Sequence, residues 1–335
     1  MKAVVMHGPG DVRVETVPNP APQAGEALLR VRRIGLCGSD LNSWRGRNPL
    51  VSYPRIPGHE IAATIVDPGN GTLAAGTHVT LSPYSSCGEC SACRNARPNA
   101  CRDNRTLGVQ RDGGLAEYLA VPVEKLLVGN LQLEELCLVE PLTVGAHAVA
   151  RAQVSGHDTV AIFGCGGIGL GAVAASAFRG ATTIAIDIDE AKLDLAREAG
   201  ATHLLHSTHQ DTREALAAWT NGHGPDVVIE AVGSPETFRA AVELVSFTGR
   251  VVYIGYAKEP VTYETRRFVQ KELTILGARN ALPADFEQVI RMLEQHRFPV
   301  ARAITSVVPL EQTTDILRAW NDDPARFTRI MINLD

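Results

Sequence analysis

Four cysteines crowd the stretch SSCGECSACRNARPNAC: Cys87, Cys90, Cys93 and Cys101, in the spacing C-x2-C-x2-C-x7-C. Four thiolates in one Gly- and Pro-containing loop can close a tetrahedral site around zinc with no open position, which is the chemistry of a structural metal. Free core cysteines are the competing reading, and Glu89, Ser91, Arg94 and Asn95 make the loop too polar for it. An iron–sulfur cluster can also use four cysteines. A second set is dispersed: Cys37 in GLCGSD, His59 and Glu60 in PGHE, and Glu140 in VEPL. Taken singly these read as a buried thiol, a core histidine and surface acids. Together, a thiolate, an imidazole and a carboxylate would hold zinc with one position left for substrate or water. Glycines beside Cys37 and His59 suggest a backbone bent to present those side chains.

A third constellation needs particular elements to place it. An apolar run, Thr159 to Phe163, meets Gly164-Cys165-Gly166-Gly167-Ile168-Gly169, continues as a small-residue helix to Phe178, and reaches a second apolar run closing on Asp187. Strand, glycine turn, helix, strand and acid in that order form a dinucleotide-binding pattern. Gly164 would permit the tight turn, Gly166 would let the backbone approach the pyrophosphate, and Gly169 would let helix and strand pack closely. The helix N-terminus, through Gly167 and Ile168, would face the phosphates, and Asp187 would take the adenosine ribose hydroxyls. This nicotinamide-type pattern favours zinc over iron–sulfur in the cysteine loop. A membrane span over Val160 to Phe178 fails, because five glycines interrupt it and its apolar length is marginal for a bilayer.

With 335 residues and 45% hydrophobic content the chain has room for two domains with sizeable cores. A net charge of −5 with no long basic run argues against nucleic acid and an anionic membrane surface. Small-molecule partners are expected. The opening MKAVVMHGPG is too short and broken for a signal-peptide core, so a cytoplasmic protein is expected. In that reducing compartment the seven cysteines are not expected to form disulfides.

From Met1 to about Lys125 short β-type runs (Ala27 to Val31, Ile61 to Val66, His78 to Leu81, Ala116 to Val121) are punctuated by Gly and Pro, which predicts an irregular, mostly antiparallel domain. From about Ala148 strands and helices alternate. Runs at Thr202 to Leu205, Asp226 to Ala231, Arg250 to Ile254 and Glu272 to Leu276 join the two of the glycine unit to make six strands, a complete doubly wound parallel sheet. Helices are expected at Asp189 to Ala199 and Pro235 to Val245. The tail from Ala281, with helices at Asp285 to Glu294 and Leu310 to Trp320, is expected to return to the first domain.

With these motifs in hand, the sequence resembles the zinc-dependent medium-chain alcohol and polyol dehydrogenase family. GLCGSD, PGHE, the four-cysteine lobe, EPLTVGAHAV and GCGGIG occur in the family's order and span essentially the whole chain. The resemblance implies a two-domain α/β protein: a β-rich GroES-like catalytic domain over residues 1–147 and 278–335, and a Rossmann cofactor domain over 148–277. It implies two zinc ions per chain, NAD, and a homodimer or homotetramer. Cys37 and His59 would ligate the catalytic zinc, and Glu60 would ligate or tune it. Glu140 resembles the carboxylate that the sorbitol dehydrogenase branch uses, directly or through water, where simple alcohol dehydrogenases use a third cysteine. Asp40 matches the acid that orients the zinc histidine, and Ser39 the hydroxyl that bonds the reacting oxygen.

One departure is Asn42, five positions after Cys37, where relatives often carry a histidine that ends the proton relay. The stretch RGRNPLVSYPRIPGHE looks most like sugar-acid dehydrogenases of the L-galactonate and L-gulonate 5-dehydrogenase type, and Arg279-Asn280 falls where relatives line the cleft. The expected reaction is reversible oxidation of a secondary alcohol of a polyol or aldonic acid to a ketone, the zinc lowering the pKa of the reacting hydroxyl. A threonine-type or simple alcohol dehydrogenase is the alternative within the class. A cofactor-sensing protein without chemistry is the alternative outside it, and Cys37, Ser39, His59 and Glu140 together argue against that.

Overall fold

The computed structural model describes residues Met1–Asp335 and divides into two compact units, Met1–Glu140 with Val300–Asp335, and Pro141–Pro299. These boundaries differ from the expected 1–147/278–335 and 148–277. The tail returns to the first unit only from Val300. The helix Pro283–Glu294 stays in the second unit, where buried Asp285 meets His147 Nδ1 at 2.7 Å and Gln288 accepts from Arg179.

In the first unit a seven-stranded sheet runs in the order Ile304–Pro309, Arg329–Asn333, Glu26–Leu36, Glu60–Asp67, His78–Leu81, Leu126–Leu127, with Tyr118–Pro122 added along Glu26–Leu36. Every pairing is antiparallel except the first, which is parallel. The organising strand is Glu26–Leu36, in which Ala27, Leu29 and Val31 alternate inward as a half-buried strand requires. Irregularities in its register against Glu60–Asp67 let Ile34 and Leu36 join the same core as Ile61, Ile65, Val79 and Ile330. The strand ends at Leu36, and the chain turns into the short helix Gly38–Trp44 with Cys37 as its N-cap.

The second unit holds a six-stranded parallel sheet in the order His203–His206, Thr182–Asp187, Thr159–Phe163, Val227–Glu230, Arg250–Tyr253, Thr274–Gly277. In chain order this is 3-2-1-4-5-6, whose direction reverses between Thr159–Phe163 and Val227–Glu230, the place where ligands enter such sheets. The six expected strands are all present, with ends shifted by at most two residues. The four central strands are largely buried, as the middle of such a sheet requires. The helices Gly167–Phe178, Glu190–Glu198 and Pro235–Leu244 correspond to the expected ones. No helix is long and apolar enough to cross a membrane.

Candidate active site and cofactor-binding turn

The four lobe cysteines converge. Their sulfurs lie 3.5 Å apart for Cys90 and Cys93, 3.5 Å for Cys87 and Cys101, 3.8 Å for Cys90 and Cys101, and 4.0 Å for Cys87 and Cys93. Four sulfurs at ~2.3 Å from one zinc would stand about 3.8 Å apart, so the spacing fits a closed tetrahedral site. Disulfides, at ~2.05 Å between sulfurs, are excluded. The backbone N–H groups of Cys90, Cys87 and Asp103 point at the sulfurs of Cys87, Cys101 and Cys101. Hydrogen bonds among the thiols and to the backbone shift them in opposite directions. Backbone N–H groups of Cys93 and Arg102 bring Cys90 down to about 6, while burial and the hydrogen bond with Cys90 push Cys93 up to about 11.

Cys37, His59 and Glu60 form the second cluster, their ligand atoms all within 4.8 Å of one another. Each is delivered by the end of a sheet element: Cys37 follows Glu26–Leu36, and Glu60 opens the next strand with His59 just before it. Gly35 is the register partner of Glu60, and a Cβ on Gly35 would overlap Glu60 Oε2. The missing side chain is therefore what gives the carboxylate its place. Glu60 Oε1 accepts from Arg329 Nη1 at 2.8 Å, with both side chains buried.

Three buried atoms here have no hydrogen-bond partner: Glu60 Oε2, His59 Nδ1 and Ser39 Oγ. Buried polar atoms are rarely left so, and orphaned ligand-type atoms beside a thiol fit a metal and an oxygen ligand. The electrostatics agree. Burial opposes a charge on His59, yet Asp40, Cys37 and Glu140 together push its pKa well above the ordinary imidazole value. Burial pushes Asp40 and Glu140 upward, offset in part by His59. So many buried acids around one histidine call for further positive charge.

Two of the expected site acids bond to groups other than the trio's side chains. Asp40 does not reach the histidine through a hydrogen bond; its Oδ2 accepts from Cys37 N at 2.9 Å and its Oδ1 from Gly58 N at 3.4 Å. It thus ties together the two backbone segments that carry Cys37 and His59. Glu140 lies outside the cluster of three; it is buried in the helix Leu133–Arg151 and accepts from the Tyr84 hydroxyl. Cys137, one turn earlier, is a buried thiol whose Sγ faces the Glu60 carbonyl at 3.4 Å, and burial pushes its pKa far up. Asn42 is exposed. Arg329, Gly35 and Tyr84 were not singled out from the sequence. Only the glycine two residues before Cys37 carried a local signal.

In the second unit Gly164 has φ +91°, and its N–H donates to Ile186 O. A Cβ at Gly169 would overlap Gly164 O, which is the close helix-to-strand approach the third glycine was expected to allow. Space beside Gly166 is open. Asp187 Oδ2 accepts from Cys165 N at 2.7 Å, and Oδ1 accepts from Ile188 N at 2.7 Å and Asp189 N at 3.1 Å. A carboxylate oxygen takes about two hydrogen bonds, so Oδ2 keeps one acceptor position while the backbone fixes the group's direction. The acid therefore braces the glycine turn as well as facing outward.

Comparison with known proteins accords with this geometry. Residues 23–130 match the model of the alcohol dehydrogenase GroES-like domain, and residues 167–295 that of the zinc-binding dehydrogenase. L-galactonate-5-dehydrogenase of Escherichia coli (strain K12) is 35% identical over 84% of this chain and 87% of its own. Sorbitol dehydrogenase of Bacillus subtilis (strain 168) is 33% identical over 95% and 92%. Among solved structures, a zinc-binding dehydrogenase from Sinorhizobium meliloti 1021 bound to NADP superposes with a TM-score of 0.92, at 30% identity and 99% coverage of both chains.

Proposed function

From the premise that this chain belongs to the zinc-type medium-chain alcohol dehydrogenase family, we propose that it oxidises a secondary alcohol of a sugar acid or polyol to the ketone, with NAD as hydride acceptor. The observation that carries this reading is the convergence of half-buried Cys37 with buried His59 and Glu60, together with the unpartnered Ser39 hydroxyl two residues after Cys37.

Cys37, His59 and Glu60 would hold the catalytic zinc, and the four-cysteine lobe a second, structural one. Bound in the trio, zinc would supply Lewis acidity to the substrate oxygen. Ser39 Oγ would bond that oxygen and pass its proton outward; Asn42, an amide, cannot take it, so the path ends in water or a cofactor hydroxyl. Asp40 keeps the Cys37 and His59 segments in register through its two backbone acceptor bonds. Arg329 fixes one oxygen of Glu60 and leaves the other turned inward. Glu140, held by Tyr84, would act from beside the trio, through a water or the substrate, rather than as a fourth member.

The dinucleotide would bind at the Gly164–Gly169 turn, with its adenosine ribose on Asp187. A family that includes an NADP-bound neighbour leaves the cofactor choice to residues. Asp187 followed by Ile188, with no arginine next to it, favours NAD, because the carboxylate repels a 2′-phosphate. A reducing compartment such as the cytoplasm is part of the same reading, supported by a cysteine lobe whose spacing suits zinc rather than disulfides. The test is NAD reduction on a panel of hexonates, hexitols, threonine and simple secondary alcohols. Turnover confined to threonine or simple alcohols would reject the sugar-acid or polyol substrate, and no turnover on any would reject the enzyme reading.

A further inference from the structure

We propose that His206, His209 and Glu190 form a site for a divalent late transition-metal cation at the adenosine end of the dinucleotide-binding unit. The turn that follows the strand His203–His206 closes with a hydrogen bond from His209 N to His206 O, 3.0 Å. The two imidazoles consequently stack, with centroids 3.7 Å apart and planes 6° from parallel. Glu190, the first residue of the helix Glu190–Glu198, brings a carboxylate to the pair, and the three ligand atoms lie within 4.8 Å of one another.

The chemistry of the set is specific. Two imidazoles with one carboxylate suit zinc, nickel or copper, whereas calcium and magnesium take oxygen ligands. His206 Nδ1 lies 3.1 Å from Thr208 Oγ1. When that hydroxyl accepts the Nδ1 proton, Nε2 carries the lone pair, the tautomer a metal takes. Parallel rings direct their lone pairs side by side, so sharing a cation requires one ring to rotate. His209 is exposed and lies outside the strand, so its ring can turn on the fast timescale of surface rotamers. None of these residues belongs to either zinc set described above.

The position links the site to the cofactor. His206 is the parallel register partner of Asp187, and Ser207 N donates to Asp187 O at 3.0 Å. Adjacent strands stand ~4.8 Å apart, so a dication on the histidines would offset the carboxylate that repels a 2′-phosphate. Bound metal should therefore tighten NADP, and NADP should tighten the metal by the same factor. This half rests on the dinucleotide reading of Asp187; metal binding itself does not.

The experiment titrates the zinc-loaded protein with Ni²⁺ by calorimetry. One further site per chain is expected, absent in His206→Gln/His209→Gln and weakened in Glu190→Gln, with unchanged melting temperatures because the residues are at the surface. Equal nickel binding by the double variant would overturn the site. NADP affinity, read by fluorescence with and without Ni²⁺, should tighten by on the order of tenfold in the parent and not in the double variant. A nickel site with no effect on NADP overturns the link. Loss of all dinucleotide binding with the nickel site intact would instead strike the cofactor reading.

Discussion

Arg329 donates to Glu60 Oε1 at 2.8 Å, and the side chains of the pair are 9% and 1% exposed. An arginine in the last strand thus fixes a carboxylate at the start of the strand Glu60–Asp67. Arg329→Gln leaves that buried acid without its cation, a loss of about 3–5 kcal/mol. Denaturant unfolding should show it, and metal analysis should show one zinc per chain lost or weakened. Glu60→Ala should lose that same zinc, whereas Glu140→Ala should keep it and lose turnover. Retention of zinc in Glu60→Ala with loss in Glu140→Ala would reverse the assignment of the two acids.

Gly35 gives a sharper test, because it touches no ligand chemically. Gly35→Ala places a methyl where Glu60 Oε2 now lies. Overpacking costs about 1–3 kcal/mol, and a misplacement of ~1 Å can cost on the order of 100-fold in turnover. Turnover should fall far more than the melting temperature suggests. Normal turnover would mean that the position of Glu60 is unimportant.

In the lobe, Cys90→Ser removes one of four converging sulfurs. The variant should carry one zinc fewer and melt at a lower temperature, since metal binding there is coupled to loop folding. Turnover per molecule that retains the catalytic zinc should change little. Retention of both zincs and of the melting temperature would show that the lobe does not bind zinc.

Asp187 has an observed role in the glycine turn and a proposed one at the ribose, and the two can be separated. Asp187→Asn keeps an acceptor for the Cys165 N–H and removes the charge, so the preference in kcat/KM for NAD over NADP should narrow with little change in melting temperature. Asp187→Ala also releases Cys165 N, Ile188 N and Asp189 N, and should weaken both cofactors. Equal efficiency of the parent protein with NAD and NADP would refute the proposed preference.

Acid stability should report Asp158. Burial alone would raise its pKa, but the Ser155 N–H at 2.7 Å and the Arg250 guanidinium outweigh burial and hold it below the ordinary carboxylate value. A depressed folded-state pKa contributes stability that is complete above the unfolded value and is lost as pH falls through the folded one. Asp158→Asn should therefore be destabilised near neutrality and lose less on acidification than the parent. An unchanged acid limb in urea unfolding would count against this.

Features that depend on neighbours a few residues apart were legible in the amino-acid order. The lobe's C-x2-C-x2-C-x7-C spacing needs only a loop to bring four sulfurs together. The glycine turn needs only local backbone freedom, and the strand Thr159–Phe163 came out residue for residue because a short apolar run bounded by turns has few other fates. Cys37 and His59 were legible through the glycines that flank them. The remaining features come from contacts between distant parts of the chain. Arg329 meets Glu60 across 269 positions of chain, and no local pattern encodes a partner so distant. Gly35 opposes Glu60 through strand register, which is set by packing of a whole sheet. Asp40 was expected to orient the histidine, and the fold gives its two oxygens the backbone N–H groups of Cys37 and Gly58, the second of them 18 positions away. The helix Pro283–Glu294 stays with the second unit because its buried Asp285 pairs with His147, 138 positions away, a contact that hydrophobic periodicity cannot foresee.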